Sequence, residues 1–274
     1  MASDLAGDDD GLRSFLETVY ARFHHDFRGY AMSSLRRRLR QALREFGVTS
    51  ILELETKLIH EPQIFGNLLA YLTVQVSDMF RDPTFYKALR DKAAPILRTY
   101  PSLKIWVAGC STGEEVWSLA ILLREEKLLE RTVIYATDIN PDSLRRAEAG
   151  VYRLDRLATF TRNHQASGGK SSLSDYYQTG YDVAVFDKSL KASVVFADHS
   201  LATDSVFTEA QLVTCRNVLI YFRPELQERA LNLFAESLCP LGILGLGSRE
   251  TLSFSPARAH FTDLVQSERL YRKN

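Results

Sequence analysis

A glycine-containing turn near the middle of the chain is the first segment that could bind a ligand. Gly109 and Gly113 enclose three small residues after an apolar run, and Glu114 and Glu115 follow at a helix start. Small residues at the carboxyl end of a strand let a ligand approach the backbone and the free N–H groups of the next helix. The GxxxG spacing differs from the GxGxxG of dinucleotide sites, and the glutamates would repel a pyrophosphate. The pattern favours a ligand with a cationic amino group and no phosphate, although a purely structural turn would use the same residues.

An aspartate stands 25 residues after Gly113, at the end of the next apolar run. At that position the Asp138 carboxylate can accept hydrogen bonds from both ribose hydroxyls of a nucleoside. The alternative is that Asp138 caps the following helix, a role for which Asn140 is equally placed. With the glycine turn upstream, ribose binding is the favoured interpretation.

A third candidate segment lies at residues 215–222, where Arg216 and Asn217 interrupt an apolar run. Buried polar groups are costly unless each is satisfied, and active-site residues of open parallel sheets lie at the carboxyl ends of strands. Tyr221, a few residues later, could face a cationic sulfonium with its ring or hydroxyl. A helix cap and a core tyrosine are the alternative interpretation.

Arginines form the remaining candidates. Arg81 precedes Asp82-Pro83 at a helix start, where the macrodipole disfavours a cation, so we expect it to pair with a carboxylate unless it is a plain surface residue.

Residues 28–44 hold six arginines and no acidic residue, and four of the six lie within two helical turns: Arg36, Arg37, Arg38 and Arg40. Because a merely solvated face would mix both signs, this helix is predicted to dock an acidic protein surface or a nucleic-acid backbone.

Composition limits the function classes. The chain has 274 residues, and 45% of them are apolar. Its 34 basic and 34 acidic side chains balance, so the protein has no net charge that would attract nucleic acid or a membrane. Three widely spaced cysteines favour a reducing compartment, and neither CxxC nor HxxxH spacing supports a metal site. The acidic residues 1–10 do not fit a signal peptide, and no apolar run reaches the ~18 residues of a membrane span. We therefore expect a disordered tail at 1–10 and a cytoplasmic, monomeric protein without a metal or a membrane insertion.

The secondary-structure elements that position these residues are predicted to be helices in the first part of the chain and alternating strands and helices in the second. Residues 12–97 show helical periodicity, with leucines 35, 39 and 43 on one face of the arginine helix. From residue 104 short apolar strands alternate with helices, with strands expected at 104–108, 133–138, 194–197, 212–215 and 243–247 and a final edge strand at 268–272. Such alternation predicts an α/β fold with a mostly parallel sheet. Between 152 and 194 the rhythm breaks, which predicts a small β insertion with a mobile loop at 166–174 and a hairpin arm at 181–185.

Together these segments resemble the CheR family of chemotaxis receptor methyltransferases over nearly the whole chain. The resemblance is carried by residues 35–39, 72–82, 108–115, 136–140 and 215–222, of which the last is the most specific. It implies an all-helical amino-terminal domain with its linker at 11–82. It further implies an S-adenosylmethionine-dependent, Rossmann-like methyltransferase domain at 83–274, with a small β subdomain at roughly 152–195.

The resemblance also implies roles for individual residues. Ser77 and Arg81 match cofactor-contacting positions of the family's Asn-x-Thr-x-Phe-Phe-Arg stretch, in which Gln75 stands for the asparagine. Glu115 matches the acidic residue that binds the cofactor's amino group, Asp138 matches the ribose ligand, and Tyr221 lies by the transferred methyl group. The other expected cofactor contacts are Gly109, Arg216, Asn217 and, where Asn-Leu is typical near the adenine, Ser200 and Leu201.

The activity implied by the resemblance is methyl transfer from S-adenosylmethionine to glutamate side chains on the cytoplasmic domain of a methyl-accepting chemotaxis receptor, with S-adenosylhomocysteine as the product. A carboxylate is ionised at neutral pH and needs no base, so the enzyme aligns and desolvates it. We expect Arg81 to orient a carboxylate, the cofactor's or the substrate's, and Tyr221 to guide the methyl group.

The rival interpretations are a methyltransferase for a small acid or nucleic acid and a non-catalytic cofactor-binding module. Neutral charge and the lack of aromatics in the arginine helix argue against nucleic acid.

Overall fold

The amino-terminal part of the chain is a bundle of four helices in the computed structural model, which describes residues 9–274. The helices are α1 (Asp9–Phe23), α2 (Met32–Glu45), α3 (Ile51–His60) and α4 (Phe65–Leu72). Most of the expected tail, residues 1–8, lies outside the described residues, but Asp9 and Asp10 form the first turn of α1. The expectation of a tail is wrong for these two residues, because acidic side chains stabilise the amino-terminal end of a helix.

Apolar stripes hold the bundle together. On α2 the stripe contains Leu35, Leu39 and Leu43, all of them fully buried, as the 3/4 spacing predicts. The hydroxyl of Ser50 caps α3 by accepting from the backbone N–H of Glu53 at 3.2 Å. The helical bundle therefore forms for the reasons that the sequence pattern indicates.

A linker at residues 73–82 leads to the second part of the chain. There, α5 (Pro83–Ala88) continues through a single π-helical turn (Leu89–Ala93) into α6 (Ala94–Leu97). The strands that follow are β1 (Leu103–Ala108), β2 (Thr132–Asp138), β3 (Val151–Arg153), β4 (Tyr177–Gly180), β5 (Val183–Phe186), β6 (Val194–Asp198), β7 (Ala210–Cys215), β8 (Leu238–Leu246), β9 (Phe261–Val265) and β10 (Leu270–Lys273). The helices between them are α7 (Glu114–Glu125), α8 (Pro141–Ala149), α9 (Leu154–Ala166), α10 (Lys188–Lys191) and α11 (Pro224–Ser237).

The main sheet has seven strands in the order β6-β2-β1-β7-β8-β10-β9. Strands β6, β2, β1, β7 and β8 are parallel, and β10 is antiparallel to both of its neighbours. The predicted α/β fold with an all-helical amino-terminal domain is confirmed. The expectation that the last strand forms an edge is wrong, because β9, which the sequence pattern did not reveal, pairs along its outer side. No helix among residues 9–274 is long and apolar enough to cross a bilayer.

The predicted β insertion is a three-stranded antiparallel sheet of β3, β5 and β4. Tyr181 and Asp182, expected to belong to a strand, instead form the hairpin turn with φ angles of 48° and 62°. The loop expected to be mobile is tied down by Glu125, whose carboxylate accepts from the backbone N–H of Lys170 and the hydroxyl of Ser171, each at 3.1 Å.

Candidate active site

A cleft opens at the carboxyl ends of β1, β2 and β7, where ligands of open parallel sheets bind. The empty space of the cleft is about 950 Å³, including the part open to solvent. The linker and the helical domain close its other side. Most of the predicted site residues line it: Arg38, Gln75, Ser77, Arg81, Gly109, Glu115, Asp138, Leu201, Arg216, Asn217 and Tyr221.

The turn after β1 requires its two glycines. Gly109 has a φ of +72°, and a Cβ at this position would lie 2.5 Å from Cγ2 of Val218. Gly113 has a φ of +89°, and a Cβ there would lie 2.8 Å from the backbone of Ala147. Both angles disfavour L side chains. The turn therefore brings the start of α7 close to the loop after β7, which carries Asn217 and Tyr221.

Asp138 ends β2 and faces the cleft. Its carboxylate accepts from the backbone N–H groups of Ser111 at 2.8 Å and Asn140 at 2.9 Å. Asn140, not Asp138, caps α8 by accepting from Asp142 and Ser143, so the capping alternative does not hold for Asp138. Burial raises the pKa of Asp138, and the backbone N–H groups oppose that shift. A carboxylate has about four lone-pair sites, so Asp138 keeps capacity for the hydroxyls of a ribose.

Glu115 and Arg216 form an ion pair on the floor of the cleft. Arg216 donates to Glu115 Oε2 at 3.3 Å and to Asp82 Oδ2 at 2.8 Å. Its guanidinium also lies 4.1 Å from the ring centroid of Phe85. Among the described residues, Oε1 of Glu115 is buried without a hydrogen-bond partner. Arg216 therefore holds Glu115 in place, and Glu115 has one carboxylate oxygen left for a cationic ligand.

The loop after β7 is held by a residue that the sequence did not single out. Glu250, 4% exposed, accepts four backbone N–H groups. They belong to Gly247 at 2.6 Å, Asn217 at 3.0 Å, Val218 at 2.9 Å and Leu219 at 2.8 Å. Asn217 itself has a φ of +62°. Glu250 lies more than 30 residues from the loop in sequence, and no local motif signals this role.

Tyr221 lies where the helical domain meets the cleft. Its backbone carbonyl accepts from the N–H of Ala31 at 2.8 Å, and Phe222 forms a β-bridge with Tyr30. The guanidinium carbon of Arg38 lies 5.2 Å from the centroid of the Tyr221 ring. Tyr30 lines the cleft as well, and burial raises its pKa. No local pattern indicated Tyr30, because it reaches the cleft only through domain packing.

The linker forms the opposite wall with Gln75, Ser77 and Arg81. The Ser77 carbonyl and the Asp78 carboxylate both accept from Arg156, which also binds Glu114 at 2.7 Å. The amide nitrogen of Gln75 is buried without a partner among the described residues. The Arg81 guanidinium forms no ion pair with any residue in 9–274, whereas its carbonyl accepts from Arg216 at 2.9 Å. Arg81 thus lines the same cleft as Glu115 and has its charge available to a ligand.

At the far end, the structure separates Ser200 from Leu201. Leu201 lines the cleft, but Ser200 does not. The Ser200 hydroxyl accepts from Ala202 at 3.3 Å, and its backbone N–H binds Asp204 at 2.9 Å. The Ser200 side chain therefore stabilises its own turn, and the predicted contact of Ser200 with the cofactor stays a prediction. His199 lines the cleft instead, with its ring 5.2 Å from that of Trp106; its position directly after a parallel strand is the sequence signal that was missed.

The four arginines of the predicted docking helix do not share one face. Arg37 and Arg40 are exposed on α2, together with Arg44. Arg36 pairs with Asp9 of α1, and Arg38 is buried at the cleft. Positions 37, 40 and 44 follow the 3/4 spacing of one helix face. Arg36 borders this face but is engaged by Asp9, and Arg38 lies off it. The expected docking surface is therefore corrected to Arg37, Arg40 and Arg44.

The open groups of the cleft fit S-adenosylmethionine. Glu115 offers a free carboxylate oxygen for an ammonium group, Asp138 offers acceptor capacity for ribose hydroxyls, and Arg81 offers a cation for a carboxylate. Two acidic side chains at this depth would oppose the phosphates of a dinucleotide. The donor and acceptor set thus matches an amino-acid-bearing nucleoside.

Comparison with known proteins agrees with this chemistry. Two family descriptions match the chain: "CheR methyltransferase, SAM binding domain" over residues 75–267 and "CheR methyltransferase, all-alpha domain" over residues 10–73. The methyltransferase Cher3 of Pseudomonas putida is 52% identical over 97% of both chains. Chemotaxis protein methyltransferase 2 of Pseudomonas aeruginosa is 31% identical, over 84% of this chain and 80% of the relative. The chemotaxis protein methyltransferase of Listeria monocytogenes is 31% identical over 69% and 70%. The cofactor of the cleft is therefore S-adenosylmethionine.

Proposed function

The chain belongs to the CheR methyltransferase family, and on that premise we propose that it methylates glutamate side chains on the cytoplasmic helices of chemotaxis receptors. It is an S-adenosylmethionine-dependent methyltransferase of the chemotaxis type. The glutamate acceptor, the receptor partner and the role of each site residue are our proposal. The products are a glutamate methyl ester and S-adenosylhomocysteine.

S-adenosylmethionine supplies a methyl group on a positively charged sulfur. The carboxylate oxygen of the acceptor forms the new O–CH₃ bond as the S–CH₃ bond breaks, and the two opposite charges disappear together. The chain's own residues then have three tasks. Glu115 and Asp138 hold the ligand, Arg81 orients a carboxylate, and the Tyr221 ring faces the sulfonium. The work is alignment and exclusion of water, so no general base is required.

The observation that carries the receptor proposal is the exposed arginine face of α2. Arg37, Arg40 and Arg44 form no ion pair with residues 9–274, and Arg38 of the same helix lines the cleft. An acidic helical surface docked on this face would lie next to the site of methyl transfer. Unpaired exposed arginines attract such a surface and fix its register.

The experiment is a methyl-transfer assay with radiolabelled S-adenosylmethionine and a purified receptor cytoplasmic fragment. We expect label that alkali releases as methanol, because esters hydrolyse under these conditions, and mass spectrometry should place it on glutamates. The Asp138→Ala variant is the control for dependence on the cleft. If calorimetry detects cofactor binding but no alkali-labile label forms on any receptor fragment, the acceptor assignment is wrong.

We also propose that the protein acts as a monomer in the cytoplasm. All three cysteines, Cys110, Cys215 and Cys239, are free and buried, which suits a reducing compartment. Light scattering should then give a mass near 31.1 kDa, and a dimer mass would contradict the monomer.

A further inference from the structure

Arg38 is a buried cation that lacks a carboxylate partner. It is 5% exposed and donates to the carbonyls of Ser34 and Leu72 and to the Ser34 hydroxyl. No aspartate or glutamate among residues 9–274 forms an ion pair with it. A buried charge is costly unless an opposite charge compensates it. Since no described residue supplies that charge, Arg38 is a candidate to bind the anion of a ligand or a partner.

The hydrogen bonds of Arg38 leave donors free for such an anion. A guanidinium has five N–H groups. The N–H of Nε is used by the Ser34 carbonyl, and Nη1 and Nη2 each donate once. One N–H group therefore remains on each terminal nitrogen, and a guanidinium can use two N–H groups to bind both oxygens of a carboxylate.

The other two arginines of the cleft have different positions. Arg216 is neutralised by Asp82 and Glu115. Arg81 lies beside that pair, because its carbonyl accepts from Arg216. Since Glu115 would hold the ammonium of the cofactor's methionine part, Arg81 is the arginine near the cofactor's own carboxylate. Arg38 lies instead at the Tyr221 ring, on the side formed by the helical domain.

We propose that Arg38 binds the carboxylate of the acceptor glutamate, and that Arg81 binds the carboxylate of S-adenosylmethionine. This inference rests on the proposed function and names the residue that selects a carboxylate acceptor. It divides the two carboxylates of the reaction between two arginines. The helical domain then contributes to substrate selection inside the cleft as well as through its outer face.

The test compares three variants. Arg38→Gln removes the charge, Arg38→Lys keeps it, and Lys87→Gln removes an exposed positive charge on α5, away from the cleft and the docking face. For Arg38→Gln we expect kcat/KM for a receptor fragment to fall roughly 10- to 150-fold, the usual effect of a lost charged hydrogen bond, with S-adenosylhomocysteine affinity within twofold of the wild type. Arg38→Lys should recover part of the loss, and Lys87→Gln should leave kcat/KM unchanged.

A pH profile separates this role from a structural one. An arginine lowers the pKa of a carboxylate that it binds, so the acid limb of the kcat profile should move to higher pH in Arg38→Gln and stay nearly in place in Arg38→Lys. Equal losses of S-adenosylhomocysteine affinity, melting temperature and turnover in both variants would show that Arg38 only fastens α2 to Leu72, and the proposal would be overturned.

A second measurement does not depend on the receptor. Ligand-observed NMR in the S-adenosylhomocysteine complex compares N-acetylglutamate N-methylamide with its glutamine counterpart. We expect the wild type and Arg38→Lys to prefer the glutamate probe and Arg38→Gln to lose that preference. If the wild type shows no preference, the carboxylate site is wrong. If the preference depends on Arg38 but no receptor fragment is methylated, the receptor assignment fails while the carboxylate site stands.

Discussion

The guanidinium of Arg216 lies 3.3 Å from Oε2 of Glu115. The other oxygen, Oε1, is buried and has no hydrogen-bond partner in the part of the chain that the structure describes. Arg216 is itself fixed by Asp82 and by the Arg81 carbonyl. The sequence suggested Arg216 as a direct cofactor contact. The geometry favours an indirect role, in which Arg216 holds the Glu115 carboxylate through Oε2 and leaves Oε1 without a protein partner.

This relationship predicts that Glu115→Gln weakens cofactor binding. The substitution removes the negative charge that would face the ammonium group, so we expect the dissociation constant of S-adenosylmethionine to rise roughly 10- to 150-fold. The melting temperature should fall only modestly, because Arg216 keeps its ion pair with Asp82. Glu114→Gln is the matched control. Glu114 is fully buried and bonded to Arg156 and Thr112, so that variant should lose stability first. Calorimetry and thermal unfolding distinguish the two, and unchanged affinity in Glu115→Gln would contradict the assignment.

A second prediction concerns Gly109. In Gly109→Ala the new Cβ would have to displace Val218, which lies 2.5 Å away, and the φ of +72° would strain the backbone. Because Val218 belongs to the loop with Asn217 and Tyr221, we expect loss of methyl transfer together with reduced stability. Gly66→Ala is the control. Gly66 is exposed in α4, and a Cβ added there would have no other atom within 4 Å, so this variant should have neutral or increased stability. Equal activity in both variants would show that the loop can move without cost.

The sequence predicted the parts of the site that depend on local pattern. The glycine turn, Asp138 and the segment from Arg216 to Tyr221 each follow a strand, and parallel strands bring their carboxyl ends together. The placement of Arg36 and Arg38 could not be predicted in this way. Both belong to an unbroken arginine run, and only the tertiary structure turns one toward Asp9 of α1 and the other toward Leu72 of α4 and the cleft. Tyr30 and Glu250 are likewise brought in by long-range packing.

The corrected docking surface leads to a third prediction. In the double variant Arg37→Glu and Arg40→Glu, the outer face of α2 would repel an acidic receptor surface. We expect KM for the receptor fragment to rise about tenfold or more at low salt, with a smaller effect at 0.5 M salt because ions screen exposed charges. Cofactor affinity should be unchanged. Lys87→Glu, an exposed charge reversal on α5 that changes the net charge by half as much as the double variant, should leave KM unaltered. A rise there of about half the size on a logarithmic scale would mean that net charge alone is responsible.

The fourth prediction is a pH dependence of stability that involves Glu125. Burial raises the pKa of this carboxyl, but the hydrogen bond from His164 at 3.0 Å and the charge of Arg90 outweigh burial and lower the pKa from 4.5 to about 2. A lowered pKa means that the unfolded chain binds a proton more readily than the folded one. The stabilisation is therefore fully present above pH 4.5 and is lost as the pH falls toward 2.

Thermal unfolding from pH 7 down to pH 3 checks this dependence. In Glu125→Gln the melting temperature should be lower at neutral pH, because removing one partner of a buried ion pair costs roughly 3–5 kcal/mol, and it should fall less steeply in acid than that of the wild type. Glu130→Gln, an exposed change just after α7, should follow the wild-type curve. If the melting temperature of Glu125→Gln depends on pH in the same way as that of the wild type, Glu125 is not the source of this pH dependence.

The last prediction concerns Glu250 as the positioning residue for the loop after β7. Its carboxylate accepts the backbone N–H groups of Asn217, Val218 and Leu219, so one buried side chain fixes the path of the backbone that leads to Tyr221. In Glu250→Gln one acceptor oxygen becomes an NH₂ group that faces N–H donors. At least one donor is then left unpaired in the interior, which costs about 1–3 kcal/mol.

Glu250 touches no reacting atom, and its effect should therefore pass through Asn217 and Tyr221. We expect Glu250→Gln to lower kcat more than it weakens S-adenosylhomocysteine binding, because Glu115 and Asp138 lie on other elements and stay in place. Glu250→Asp should fail to restore turnover, since its shorter side chain does not span from the Gly247 N–H to the Leu219 N–H. Glu236→Gln, an exposed change on α11, is the control. A Glu250→Gln enzyme with normal kcat and reduced melting temperature alone would restrict Glu250 to a structural role.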